Sequence, residues 1–207
     1  MAVQQLPRGR HGLSRKDVAA SQRARMLEAC FGVVAEKGYV RFTVADVLSA
    51  ARVSRETFYE QFRDKEDCFL AAYELSVEAV LTAMRATDPG EGGEADPLER
   101  YDRMMQGYLE LMASEGGYAR VFLVDVYAAG ERAVKRRREV IDRFSELVAE
   151  VVGARTAADR FACEALVNAV SSLVTVRVAA GDLEEIPKLR RPVMDVARRL
   201  LETRSSA

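Results

Sequence analysis

Between Phe42 and Phe62 the chain carries one helix-start device twice, at Thr43 and again at Ser54, and that repetition restricts the fold more than any other feature. Thr43 stands where a hydroxyl can cap a helix, with Asp46 three positions on. Phe42 before the cap and Val47 four after it have the spacing of a hydrophobic staple. After Ala51-Arg52-Val53 the pattern recurs, with Ser54 as cap, Val53 before it and Phe58 at the staple position. Two capped helices with so short a gap form a helix-turn-helix. Val44, Val47, Leu48 and Ala51 face inward on the first. The second is short, from Ser54 to about Phe62, and Phe58 and Phe62 share its inner face at i, i+4.

The rest of the chain also reads as helix. Residues 1–13, with Pro7, Gly9 and Gly12 among Arg8 and Arg10, break every pattern and are expected to form a flexible arm. Ser14 caps a helix that stops at Gly38, with Ala20, Ala24, Leu27, Phe31 and Val34 as its apolar stripe and Cys30 beside it. Asp64 caps a long helix to about Ala86, with Phe69, Tyr73, Val77, Val80 and Met84 on its buried face. A loop with Pro89, Gly90, Gly92 and Gly93 follows. Asp96-Pro97 reads as cap and first residue of the next helix. Further helices are expected at about 97–114, 117–129, 131–152, 156–181 and 188–203. No alternation long enough for a strand competes. The expected fold is all-α, with a three-helix helix-turn-helix domain at 14–65 and a larger helical domain at 66–207.

Several chemistries lack their residues. His11 is the single histidine and lies in the arm, so a histidine-based nucleophilic mechanism has no positioned base. Cys30, Cys68 and Cys163 are far apart, lack any C-x-x-C spacing and sit in helical apolar patterns, as small buried hydrophobes do. We therefore expect no metal site, no cofactor and no enzyme. Lys135-Arg136-Arg137-Arg138 spreads around a helix and reads as a solvated face. The longest uncharged stretch, Ala165 to Val176, is shorter than the roughly 20 apolar residues a bilayer span needs, and the chain opens on no apolar leader. A cytoplasmic protein away from membranes is expected.

A DNA-reading helix must be anchored on one face and bare on the other. With Phe58 and Phe62 inward, Ser54, Arg55, Thr57, Tyr59 and Gln61 point outward or along the rim. Arg55 in the first turn can reach guanine O6 and N7. The hydroxyls of Thr43, Thr57 and Tyr59 suit phosphates, and Lys65 starts a helix whose N–H groups favour an anion. Glu56 and Glu60 oppose phosphates unless paired with Arg52, Arg55 or Arg63. The net charge of −1 hides an asymmetry: residues 1–65 hold 12 Lys and Arg against 7 Asp and Glu, whereas residues 66–207 hold 19 against 25. A basic reader joined to an acidic body follows.

The run from Arg23 to Leu70 resembles the DNA-binding domain of the tetracycline-repressor (TetR) family. The resemblance is carried by Phe31 seven residues before Gly38, Thr43-Val44 with Val47, Val53-Ser54 with Thr57-Phe58-Tyr59, then Phe62 and Lys65-Glu66. It implies a homodimeric transcription regulator, most often a repressor that leaves double-stranded operator DNA when a small ligand binds. An activator of the same fold, or a regulator acting through a protein partner, is the alternative. By position, Thr43, Arg55, Thr57, Tyr59 and Lys65 fall where members touch DNA. Three residues depart from the pattern: Arg52 replaces a common turn glycine, Gln61 a frequent histidine and Cys68 a frequent leucine. If Arg52 adopts a positive φ, the side chain costs about 1 kcal/mol, and it can add a phosphate contact.

In the second domain, Ala162, Ala165, Ala169, Ser172 and Val176 form a stripe of small residues on one helix. Val193, Val196 and Leu200 line the last helix. The two helices are expected to pair with their twofold mates. Tyr73, Tyr101, Met104, Met105, Tyr108, Met112, Phe122, Val126, Tyr127 and Phe144 gather the soft and aromatic side chains, and are the expected lining of a pocket for an apolar or aromatic effector.

Overall fold

The computed structural model describes residues 14–87 and 96–202, which divide into two compact units between Leu75 and Ser76. The arm read over residues 1–13 and the glycine loop after Thr87 lie outside the described residues. Those residues are helical throughout, without strands.

In the first unit, α1 (Arg15–Lys37) begins at a capping box in which Ser14 and Asp17 exchange hydrogen bonds, and it ends on Gly38 at φ 77. Its buried side is Met26, Leu27, Cys30 and Val34, with Phe31 half-buried and Ala20 exposed. The buried face is thus shifted from the expected stripe toward Met26 and Cys30. α2 (Val44–Ala51) and α3 (Arg55–Gln61) both pack on α1. α4 (Lys65–Ala86) starts at Asp64, whose carboxylate accepts the Asp67 N–H at 2.8 Å. It is one continuous helix through the point where the units part.

The second unit contains α5 (Pro97–Ser114), α6 (Gly116–Leu123), α7 (Glu131–Val151), α8 (Ala157–Ala180) and α9 (Arg190–Glu202). α7 and α8 pack most extensively, α5 joins α9, and α6 lies against α8. The helix expected over 117–129 is interrupted: Val124 breaks it, and Asp125–Ala129 is a 3₁₀ turn. Asp125 is buried there and ion-paired with the half-exposed Arg120 at 3.7 Å. The last helix begins later than expected, after the short 3₁₀ turns Leu183–Glu185 and Pro187–Leu189. Asp96 precedes Pro97 as expected but makes no side-chain capping bond.

Several long-range bonds tie this unit. Arg190 forks onto both oxygens of Asp102, each at 2.8 Å. Tyr118 donates to the Ser76 carbonyl at 2.5 Å, and Arg143 pairs with Glu78 at 2.5 Å. By length and composition α8 is apolar enough to cross a membrane, unlike the shorter uncharged run inside it, and 28% of its most apolar window is buried within the chain.

Candidate nucleic-acid interface and effector cavity

The reader helix α3 has seven residues and cannot stand alone. Its position comes from both ends and from its inner face. Ser54 accepts the Thr57 N–H at 3.0 Å, a cap contributing about 1 kcal/mol. Phe58 and Phe62 are buried with ring centroids 5.4 Å apart. Each buried aromatic ring stabilises the unit by about 1.5–3 kcal/mol. From α1, Arg23 lies over the Phe62 ring at 4.4 Å and donates to the Gln61 carbonyl at 3.2 Å. Arg25 donates to the Ala51 carbonyl at 2.9 Å. The two arginines thereby satisfy the carbonyl ends of α3 and α2, where a helix dipole is negative. Nothing local in the sequence marked them for this, since their partners lie 38 and 26 residues away.

The expected DNA-facing residues divide by how free they are. Arg55 and Arg52 are exposed and have no partner among the described residues, and Tyr59 is 49% exposed with its ring edge-on to Phe58. Gln61 is half-buried. Ser54 and Thr57 share one hydroxyl bond at 2.9 Å, which leaves one O–H proton to give. Thr43 is committed to its capping box: its hydroxyl donates to Asp46 at 2.8 Å and its N–H at 2.9 Å. Asp46 also meets Lys37 at 2.7 Å, and that ammonium, with Thr43, holds its carboxyl below the usual value. Lys65 is half-buried. Its ammonium lies 4.7 Å and 5.0 Å from the Tyr39 and Phe42 ring centroids and donates to the Phe42 carbonyl at 3.2 Å. It serves the packing of this corner, leaving the N–H groups of α4 as the part a phosphate could reach.

Arg52, which closes α2, has φ 53 and ψ 52. Among the described residues it is the only non-glycine with a positive φ. The turn therefore holds an L-residue in a left-handed conformation, at a cost of about 1–2 kcal/mol.

None of the three cysteines forms a disulfide and all are buried, and the Cys30 thiol is held well above its ordinary value by its hydrogen bond with Cys68 and by burial. No cluster of potential metal ligands occurs among the described residues.

The second unit holds an apolar pocket, partly open to solvent, with about 30 Å³ of free space. Met105, Tyr108, Phe122 and Phe144 line it, together with residues the sequence did not single out for it, among them Met84, Ile141, Val148, Val170 and Ser171. Tyr101, Met104, Met112 and Val126 instead fill the solid core, Tyr73 belongs to the first unit, and Tyr127 is 54% exposed. Arg137 is also in the cavity wall and only 3% exposed, which corrects the reading of residues 135–138 as a uniformly solvated face. On α7 it lies on the inner stripe with Ala133, Val140 and Phe144.

On α8 the apolar outside is Phe161, Leu173 and Val176, at 71%, 41% and 63% exposure, with Ala165, Ala169 and Ser172 also exposed and Ala162 intermediate. On α9, Val196 and Leu200 are exposed, whereas Val193 is buried within the subunit.

A short capped helix, buried on one side, bare on the other and braced by two neighbours, defines the first unit as a helix-turn-helix DNA-binding module. Comparison with known proteins places it further. Residues 26–72 match the pattern described as bacterial regulatory proteins, tetR family. Over 68 residues the chain is 37% identical to the HTH-type transcriptional regulator CymR of Pseudomonas putida; this is 33% of the chain and spans about a third of that regulator's length, 34%. Among solved structures, the fatty acid degradation regulator FadR from Bacillus halodurans has a TM-score of 0.71 at 19% identity, covering 86% of this chain and 97% of that one. FadR from Bacillus subtilis, solved with stearoyl-CoA, has a TM-score of 0.67 at 17% identity, covering 84% and 96%. Residues 26–72 thus carry the DNA-binding pattern of the tetR family, and the solved structures share the fold of the chain as a whole.

Proposed function

We propose that the chain acts in the cytoplasm as a homodimeric repressor whose two α3 helices enter successive major grooves of a double-stranded operator. One observation carries this reading: Arg55 and Tyr59 project unpaired from a helix whose other face is locked by Phe58 and Phe62. Half-sites would lie one helical turn, or a multiple, apart. Dimerisation is supported by the exposed apolar side of α8, continued by Val196 and Leu200 on α9. A second copy would cover it, and this accounts for the composition of α8 without a membrane.

The cavity would take a small apolar or aromatic effector. Stearoyl-CoA bound to the Bacillus subtilis regulator gives a precedent for ligand occupancy in this fold. α4 runs from the reader unit to Met84 in the cavity wall, so a ligand that displaces Met84 would bias the helix and thereby the spacing of the two α3 helices. The test is selection of duplexes from a random pool, followed by titration of the selected duplex at two salt concentrations. Enrichment of a two-half-site sequence, with affinity falling steeply as salt rises, is expected. Failure to enrich any sequence would contradict the reading.

A further inference from the structure

The wall of the second-unit cavity contains a cation without a counter-ion. Arg137 is 3% exposed, and no carboxylate among the described residues pairs with it. Its Nε is buried without a hydrogen-bond partner. One terminal nitrogen donates to the Ser171 hydroxyl, and the guanidinium lies 5.5 Å from the Phe122 ring centroid. Its neighbours on α7 are arranged differently: Arg136 meets Glu139 at 2.6 Å and Arg143 meets Glu78 at 2.5 Å, both nearer solvent. A guanidinium remains charged at any physiological pH, and burying one unpaired is unfavourable.

The polar groups around it each have a proton to give. Ser171 accepts from Arg137, and its own proton has no acceptor among the described residues. Tyr108 lines the same cavity; burial pushes its phenol up to about 12, against the pull of Arg137, so it remains an O–H donor at neutral pH. Donors without acceptors select a ligand group that brings lone pairs and negative charge. The remaining wall, including Met84, Met105, Phe122, Phe144 and Val170, selects an apolar body.

We propose that the effector of this cavity is a carboxylate on a compact aromatic or medium-length aliphatic body, with Arg137 binding the carboxylate and Ser171 and Tyr108 beside it. This rests on reading the cavity as the effector site. With about 30 Å³ of free space, the pocket must spread its apolar walls to admit such a body.

The experiment is isothermal titration of the full chain with 2-naphthoate and with octanoate, each against its own primary amide, repeated on Arg137→Met and Arg137→Lys. In the wild type at least one acid should bind about tenfold to a hundredfold more tightly than its amide, the range of a charged hydrogen bond. Arg137→Met should remove that preference while amide binding persists. Arg137→Lys should keep part of it and serves if the methionine variant does not fold. Equal binding of acids and amides by the wild type would overturn the proposal and leave the cavity reading intact. An acid preference unchanged in both variants would also overturn it. No binding of any of the four probes would overturn it together with the cavity reading. An acid that binds through Arg137 without releasing operator would uphold it and count against ligand-driven release.

Discussion

Replacing Arg52 by glycine should move stability and DNA affinity in opposite directions. At φ 53 and ψ 52 the arginine backbone sits where an L-residue loses about 1–2 kcal/mol. Glycine removes that strain but returns about 0.4–1 kcal/mol of freedom to the unfolded chain. The net expectation is stabilisation of the first unit by up to about 1 kcal/mol. Its backbone N–H to the Leu48 carbonyl is kept, so the turn itself has no reason to change. Arg52→Ala is the control, since it retains the Cβ strain and lacks the charge. Urea unfolding should rank glycine above both wild type and alanine. In duplex titrations both variants should bind more weakly, and if each subunit loses one phosphate contact the salt slope of a dimer should shrink by about 1.8. Alanine as stable as glycine would refute the strain argument. An unchanged salt slope would refute the phosphate contact.

Three other predictions concern the supports of the account. Val176→Glu places a charge on the exposed apolar side of α8 and should give monomers by sedimentation, with native helix content; a persistent dimer would move the interface elsewhere. Arg23→Met should keep the packing on Phe62 but orphan the Gln61 carbonyl, lowering stability by about 1–2 kcal/mol in urea unfolding; no loss would mean that the bond contributes nothing. The carboxyl of Asp102 is held below the ordinary aspartate value by its forked bonds to Arg190. Its contribution to stability is full above about pH 3.8, the ordinary value, and is lost as the pH falls through the lower folded one. Asp102→Asn should therefore lower stability at neutral pH and flatten the acid limb of the stability curve; an unaltered limb would contradict it.

What the sequence revealed divides by the range of the interaction. The caps at Ser14, Thr43, Ser54 and Asp64 depend on residues three positions away, and each forms. The anchoring of α3 by Phe58 and Phe62 follows from helical spacing in the same way. The break at Val124 was hidden because no glycine or proline stands there and the apolar spacing runs on through it. Lys65 looked free for a phosphate, but Tyr39 and Phe42, far back in the chain, hold its ammonium. Val193 shares the apolar pattern of Val196, and only packing decides which of them stays outside. Arg137 was legible in principle: it stands four residues after Ala133 and three before Val140, within the buried stripe of α7. Reading four consecutive basic residues as one solvated face hid the fact that a helix must turn one of them inward.

The central claim is that α3 reads operator bases, and substituting Arg55 in a duplex titration tests it most directly. With the selected operator, Arg55→Ala should cost about 1–3 kcal/mol of affinity and relax the base preference at one position of each half-site, while binding to unrelated duplex changes little. Unaltered operator affinity and unaltered base preference in a folded Arg55→Ala protein would contradict the account.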